Sequence, residues 1–214
     1  MEKTIQKFIV PTVNDLNHRY KSWEHCYSAF GNKKELPDVL ALHLGFYLAS
    51  WGMYRGSSGL LWKDYKVHIG AIEIIKDHYN LRNKYVTDLP EANGVLLLAD
   101  ELKQFYSHIE YFNGRNEKKV VSATNTLISK IILGTLGCLP AFDRYFNLGL
   151  FQKEYALLNM KSIEEIWRIA EERKSEIELI QNSIYTVSNF WYPPMKIIDM
   201  YYWQLGFDKE AITK

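Results

Sequence analysis

Lys130 and Asp143 are the side chains of this 214-residue sequence whose types and spacing most readily suggest chemistry. They bracket the stretch 129–146, SKIILGTLGCLPAFDRYF, where an apolar segment runs into glycines, turns at Pro140 and delivers one carboxylate. An amine on one helix and a carboxylate at the start of the next could face a single cleft. There the amine could act as nucleophile or cation, and the carboxylate could stabilise developing positive charge or orient a water. The plainer alternative is that Asp143 caps a helix or pairs with Arg144 or another cation.

Other chemistries find less material. The histidines His18, His25, His43, His68, His78 and His108 form no HExxH and no paired Cys/His spacing, so no metal is expected. Gly56-Ser57-Ser58-Gly59 is not followed by Lys-Ser/Thr and there is no GxSxG, which sets aside nucleotide hydrolysis and serine hydrolase chemistry. No cofactor is implied. The Arg55–Gly59 loop could hold a phosphate through Arg55, with an ordinary interhelical turn as the alternative. Arg19 and His25, with five residues between them on one expected helix, match the loose spacing of HEPN ribonucleases. That similarity implies a metal-independent RNase in which His25 moves the 2′-hydroxyl proton and Arg19 stabilises phosphate charge.

The elements that would position these residues read as helix after helix. Residues 1–12 look like an arm ending at Pro11, followed by a helix capped at Asn14 or Asp15 that stops at Gly31. Leu36-Pro37-Asp38 opens a second helix that is apolar nearly all round and therefore expected to be central. A third covers Leu60 to His78, residues 80–93 connect, and a fourth covers Val95 to Tyr111. A fifth starts at Lys118 and Lys119 and runs through Lys130 to stops at Gly134 and Gly137. A charged amphipathic helix spans Ile163 to about Asn182, and a terminal helix after Pro193-Pro194 stops at Gly206. No repeat, linker or convincing strand appears, so residues 1–214 are expected to form a single all-α domain, with a two-lobed form around a cleft as a variant of it.

Composition narrows the partners. A formal net charge of +1 offers no chain-wide basic footprint, so any nucleic-acid site must be a local patch. Two cysteines, Cys26 and Cys138, in no CxxC motif make a disulfide scaffold implausible and fit a reducing cytoplasm. MEKTIQKFIV lacks the core of a signal peptide and no run is long enough to span a bilayer, so neither export nor a membrane partner is expected. Nothing points to a protein partner. Fifteen tyrosines among the aromatics suggest that rings with a polar handle carry much of the packing.

A buried helix bearing a lysine, a glycine turn and Pro140-Ala141-Phe142-Asp143 resembles the helix-hairpin-helix DNA glycosylase superfamily. Gly134-Thr135-Leu136-Gly137 stands as a stretched form of its Gly-x-Gly hairpin. Ile197-Ile198-Asp199-Met200-Tyr201-Tyr202-Trp203 is similar to the superfamily's last helix, whose Asp and Trp anchor it to the core. The segments LASWGMYRGSS and GCLPAFDRYF resemble bacterial antiphage DNA glycosylases that remove glucosylated hydroxymethylcytosine from viral DNA. The resemblance implies catalysis by Asp143, with Lys130 as a potential Schiff-base nucleophile, on a base flipped out of duplex DNA. Trp51, Tyr54, Trp62, Phe142 and Tyr145 are then the expected base pocket. Arg55, Ser57, Ser58, Lys63, Lys66, Arg115, Lys118 and Lys119 are the expected phosphate contacts. A non-catalytic helical module binding a partner or phosphate at the Arg55 loop is the remaining alternative.

Overall fold

The computed structural model describes residues 1–84 and 88–213 and is all-α apart from one short hairpin. The first helices are α1 (Glu2–Asn14), α2 (Lys21–Gly31) and α3 (Pro37–Ser50). Two single turns of 3₁₀-helix lead to α4 (Ile69–Asp77), and α5 (Leu89–Ser107) precedes an antiparallel pair, β1 (Glu110–Phe112) and β2 (Lys118–Val120). The second half is α6 (Asn125–Thr135), α7 (Arg144–Leu150), α8 (Met160–Glu172), α9 (Lys174–Ser188) and α10 (Pro194–Thr213). One continuous apolar core runs through all of it.

Several boundaries differ from the sequence expectation for identifiable reasons. Residues 1–12 are no arm: Ile5, Phe8, Ile9 and Thr12 bury one face of α1, and Pro11 is carried inside the helix. The helix expected from Asn14 starts only at Lys21. Over Leu60 to His78, Asp64 accepts from the Lys66 amide and restarts the chain, so only Ile69–Asp77 is α-helical. Asp88 caps α5 and begins it six residues early, while residues 85–87 of the expected connection lie outside the described residues. Lys118 and Lys119 belong to β2, not to a helix, because Thr124 is the cap of α6. The charged helix is broken near Arg173 into α8 and α9. Finally, α3 is not wrapped on all sides, since Leu42 and Phe46 face solvent.

Two glycines expected to stop helices are contact notches inside them. A Cβ at Gly134 would sit 2.4 Å from the Tyr47 ring, so α6 and α3 meet closely there. A Cβ at Gly206 would lie 1.9 Å from the carbonyl oxygen of Tyr145, and one at Gly149 1.9 Å from that of Tyr202. Helices α7 and α10 therefore touch backbone to backbone. That contact fixes the start of α7, where Asp143 is the cap.

Under α3 and α5 a buried imidazole joins two phenols: His68 Nδ1 is 2.6 Å from the Tyr106 hydroxyl and Nε2 is 2.9 Å from that of Tyr54. A neutral ring meets both, one nitrogen donating and the other accepting. Burial drives the His68 pKa down to about 3.

Gly206→Ala, which forces backbones apart, should destabilise the fold by at least the ~1–3 kcal/mol of overpacking, visible as a lowered Tm. For His68 the folded pKa lies below the unfolded value near 6.5, so the unfolded chain binds more protons between pH 3 and 6.5. Its contribution is complete above pH 6.5 and is lost as pH falls toward 3, at up to about 1.4 kcal/mol per unit. Denaturant titrations at pH 7 and pH 4.5 should show this loss, and His68→Gln should flatten it.

Candidate active site

The segment between α6 and α7 is held from both sides. Gly137 adopts φ +66°, where its amide reaches back to the Ile132 carbonyl and closes α6. The Ala141 amide then donates to Asp199 Oδ1 on α10 at 3.0 Å. The Phe142 amide donates to Ser129 Oγ on α6 at 2.7 Å, and the Phe142 carbonyl accepts from Thr126 Oγ1 at 2.8 Å. Asp143 follows with both oxygens engaged: Oδ1 accepts from the Phe146 amide at 3.1 Å and Oδ2 from Lys130 Nζ at 2.8 Å. The side chains of Lys130 and Asp143 are 4% and 14% exposed. Asp143 thus caps a helix and pairs with a cation, but the cation is Lys130 and not Arg144, which turns outward to Glu154 and Glu210.

A second buried pair lies beside the first. Lys196 Nζ donates to Asp199 Oδ2 at 2.8 Å, and its ammonium stands 5.0 to 5.6 Å from the rings of Phe8, Trp23 and Trp51. Lys130 Nζ is 4.9 Å from the same Trp51 ring. Trp51 therefore serves as the π-surface for two ammonium groups. Burial lowers the Lys196 pKa, and the Asp199 carboxylate opposes that shift.

Asp143 and Lys130 are among the least exposed residues lining a pocket of about 400 Å³. Trp51, Tyr145 and Trp203 line it too, together with the exposed Arg19 and Arg55. Arg19 lies 5.6 Å from the Trp51 ring, and neither arginine enters an ion pair among the described residues. The pocket offers a fixed anion, aromatic walls and two guanidinium groups in no ion pair among the described residues. Comparison with known proteins gives no match. No family model fits the chain, and no curated protein or solved structure is significantly similar to it.

Of the residues expected from sequence, Lys130, Asp143, Trp51, Tyr145 and Arg55 line this pocket. Others do not, for physical reasons. Tyr54 gives its hydroxyl to His68, and Phe142 is buried against Phe146 and Phe151. Trp62 lies over Gly114 at the hairpin turn. Ser58 is buried and its hydroxyl donates to the carbonyls of Met53 and Arg55, so it holds the loop rather than a ligand. Ser57 is exposed outside the pocket lining, as are Lys66 and Arg115, and half-buried Lys63 is outside it too. Lys118 and Lys119 are engaged by Glu110 and Glu117. Arg19 and His25 do not share a helix: Arg19 precedes α2 and faces the pocket, whereas His25 is exposed on α2 and does not line it.

Sequence reasoning missed Trp203 and Tyr155 as pocket residues. Trp203 was signalled by its place one turn after Asp199. Tyr155 carried no signal.

Removing one partner of a buried pair strands the other charge. Lys130→Met should lower unfolding free energy by about 3 kcal/mol, and adding Asp143→Asn should return part of that loss. Urea denaturation of the two single variants and the double variant measures the coupling.

Proposed function

We propose that the protein is a DNA glycosylase of helix-hairpin-helix type, excising a modified base and leaving an abasic site. The observation that carries this reading is one carboxylate, Asp143, fixed by two hydrogen bonds and lining a 400 Å³ pocket together with aromatic rings and two exposed arginines. A flipped base needs aromatic or apolar faces to lie against, and Trp51 and Tyr145 supply them. The phosphates flanking an everted nucleotide need cations, and Arg19 and Arg55 are free to serve.

Loss of the base leaves positive charge spread over C1′ and the ring oxygen of the sugar. A carboxylate about 4 Å away stabilises a unit charge by ~4 kcal/mol at an effective dielectric of 20, against ~1 kcal/mol in water. The restricted exposure of Asp143 serves that role. Its oxygens each accept one hydrogen bond from the protein and keep a lone pair for an attacking water or the sugar. Lys130 donates to Asp143 Oδ2 and holds the carboxylate in place. If Lys130 passes a proton to Asp143, its amine can displace the base at C1′; the departing base takes the proton from Asp143, the sugar ring opens to the protonated Schiff base, and β-elimination of the 3′-phosphate nicks the strand.

The pocket volume lies within the range of sites for whole small molecules, which supports a cytosine carrying a bulky substituent. Glucosylated 5-hydroxymethylcytosine in phage DNA, and so an antiviral role, is the first substrate to test.

Duplexes containing plain, damaged or glucosylated bases are incubated with the protein and then with alkali. Alkali-dependent breaks are expected with the intact protein, and at least ~10²-fold fewer with Asp143→Asn, which retains the cap geometry. Undiminished release by that variant overturns the reading. Borohydride trapping that is lost in Lys130→Gln would add the nicking step.

A further inference from the structure

Beside the pocket lies a second, polar groove of about 510 Å³, and the two cavities share one side chain, Tyr155. Tyr155 is 84% exposed, the highest value among the exposed large hydrophobic residues. It stands on a backbone that is firmly tied. The Asn147 amide group donates to the Glu154 carbonyl, Asn125 to the Ala156 carbonyl, and the Ser162 hydroxyl to the Leu157 carbonyl. Arg144, beside Asp143, pairs with Glu154 at 3.1 Å. A hydrogen-bonded strap thus carries an exposed aromatic ring at the junction of two cavities.

The groove beyond Tyr155 bears Lys153 and Lys161, both exposed and in no ion pair among the described residues. The other cavity carries Arg19 and Arg55, likewise in no ion pair among the described residues. Lys7, Lys84, Lys118 and Lys119 are paired with carboxylates, whereas Lys3, Lys33, Lys34, Lys66 and Lys174 are exposed and in no ion pair among the described residues, like Lys153 and Lys161, but line neither cavity. Cations in no ion pair thus line both cavities that meet at Tyr155, two in each, with Glu165 as the one carboxylate in the groove. That order, cation, ring, cation, matches the repeat of a nucleic-acid strand, whose phosphates alternate with bases.

We propose that the groove is a binding site for the strand continuing from the pocket. Tyr155 stacks on the base next to the everted nucleotide, and Lys153 and Lys161 take the phosphates that follow. The assignment rests on the glycosylase reading for the identity of the pocket's occupant, but its test reads binding and not base release.

The probe is a fluorescein-labelled DNA duplex carrying a tetrahydrofuran abasic site with 2-aminopurine beside it. Its affinity for the full chain is measured by anisotropy over a range of salt. Tyr155→Ala should bind roughly tenfold more weakly and lose the 2-aminopurine quenching given by the intact protein, while Tyr155→Phe keeps both. Lys153→Ala/Lys161→Ala should reduce the slope of log affinity against log salt by about one and a half to two. All these side chains are exposed, so an unchanged Tm is expected. Unchanged affinity, quenching and slope in the variants would overturn the groove even if the intact protein releases bases. These losses in a protein that releases no base would support the groove and discard the glycosylase chemistry. Preference for RNA of the same sequence, or no binding by the intact chain, overturns the assignment.

Discussion

The hydrogen bond from the Ala141 amide to Asp199 is the constraint on which the arrangement of the molecule depends. A carboxylate as buried as Asp199 is tolerated only if its charge and lone pairs are met, and one amide does not suffice. Lys196 meets the charge from one turn away. The buried ammonium in turn needs a favourable surface, which Phe8, Trp23 and Trp51 provide from α1, α2 and the end of α3. One buried anion thereby dictates where three helices and the Asp143 turn must lie relative to α10. The aromatic content of the sequence has its explanation here, because aliphatic side chains could fill the same volume but could not face two ammonium groups.

The glycine pair solves the matching steric problem. Helix α7 is only two turns long, too short to be stable on its own helical propensity. Its position comes from the Asp143 cap at one end and from Gly149 lying against Gly206 along its side. Without those two missing side chains α10 would stand farther off, and Asp199 could no longer reach Ala141. Local geometry and buried electrostatics thus support each other.

Periodicity carried the long helices into view, and the Lys130–Asp143 pair could be read because both residues bound one short turn between two recognisable helices. What escaped the reading depends on faces and distances. Gly134 and Gly206 look like helix stops in one dimension, since glycine favours both an end and a close approach, and only the partner helix distinguishes them. Lys118–Val120 shows no alternating apolar face because its outward residues are exposed, so a hairpin of three-residue strands left no pattern. Tyr54 and Phe142 sit as near the key loops in sequence as Trp51 and Tyr145 do. Their rings turn to His68 and to Phe146, and nothing local decides that. Tyr155 lies in an irregular segment whose hydrogen bonds come from α6, α7 and α8, so its role as a projecting ring exists only after those helices assemble.

The two buried ion pairs differ in how far they are closed off. Both are Lys–Asp contacts of 2.8 Å, and both lysines face Trp51. Lys196 and Asp199 are closed off at 3% and 6% exposure, and the Asp199 carboxylate meets a backbone amide as well as the ammonium. Asp143, at 14%, keeps part of its surface on a cavity that Lys130 also lines. A fold seeking only stability gains little by leaving that opening, because a buried charge exchanged for packed apolar groups is often neutral or better. Retaining a charge in the lining of an aromatic pocket, braced by a second pair that never reaches the cavity, is the arrangement expected where the electrostatics act on something bound.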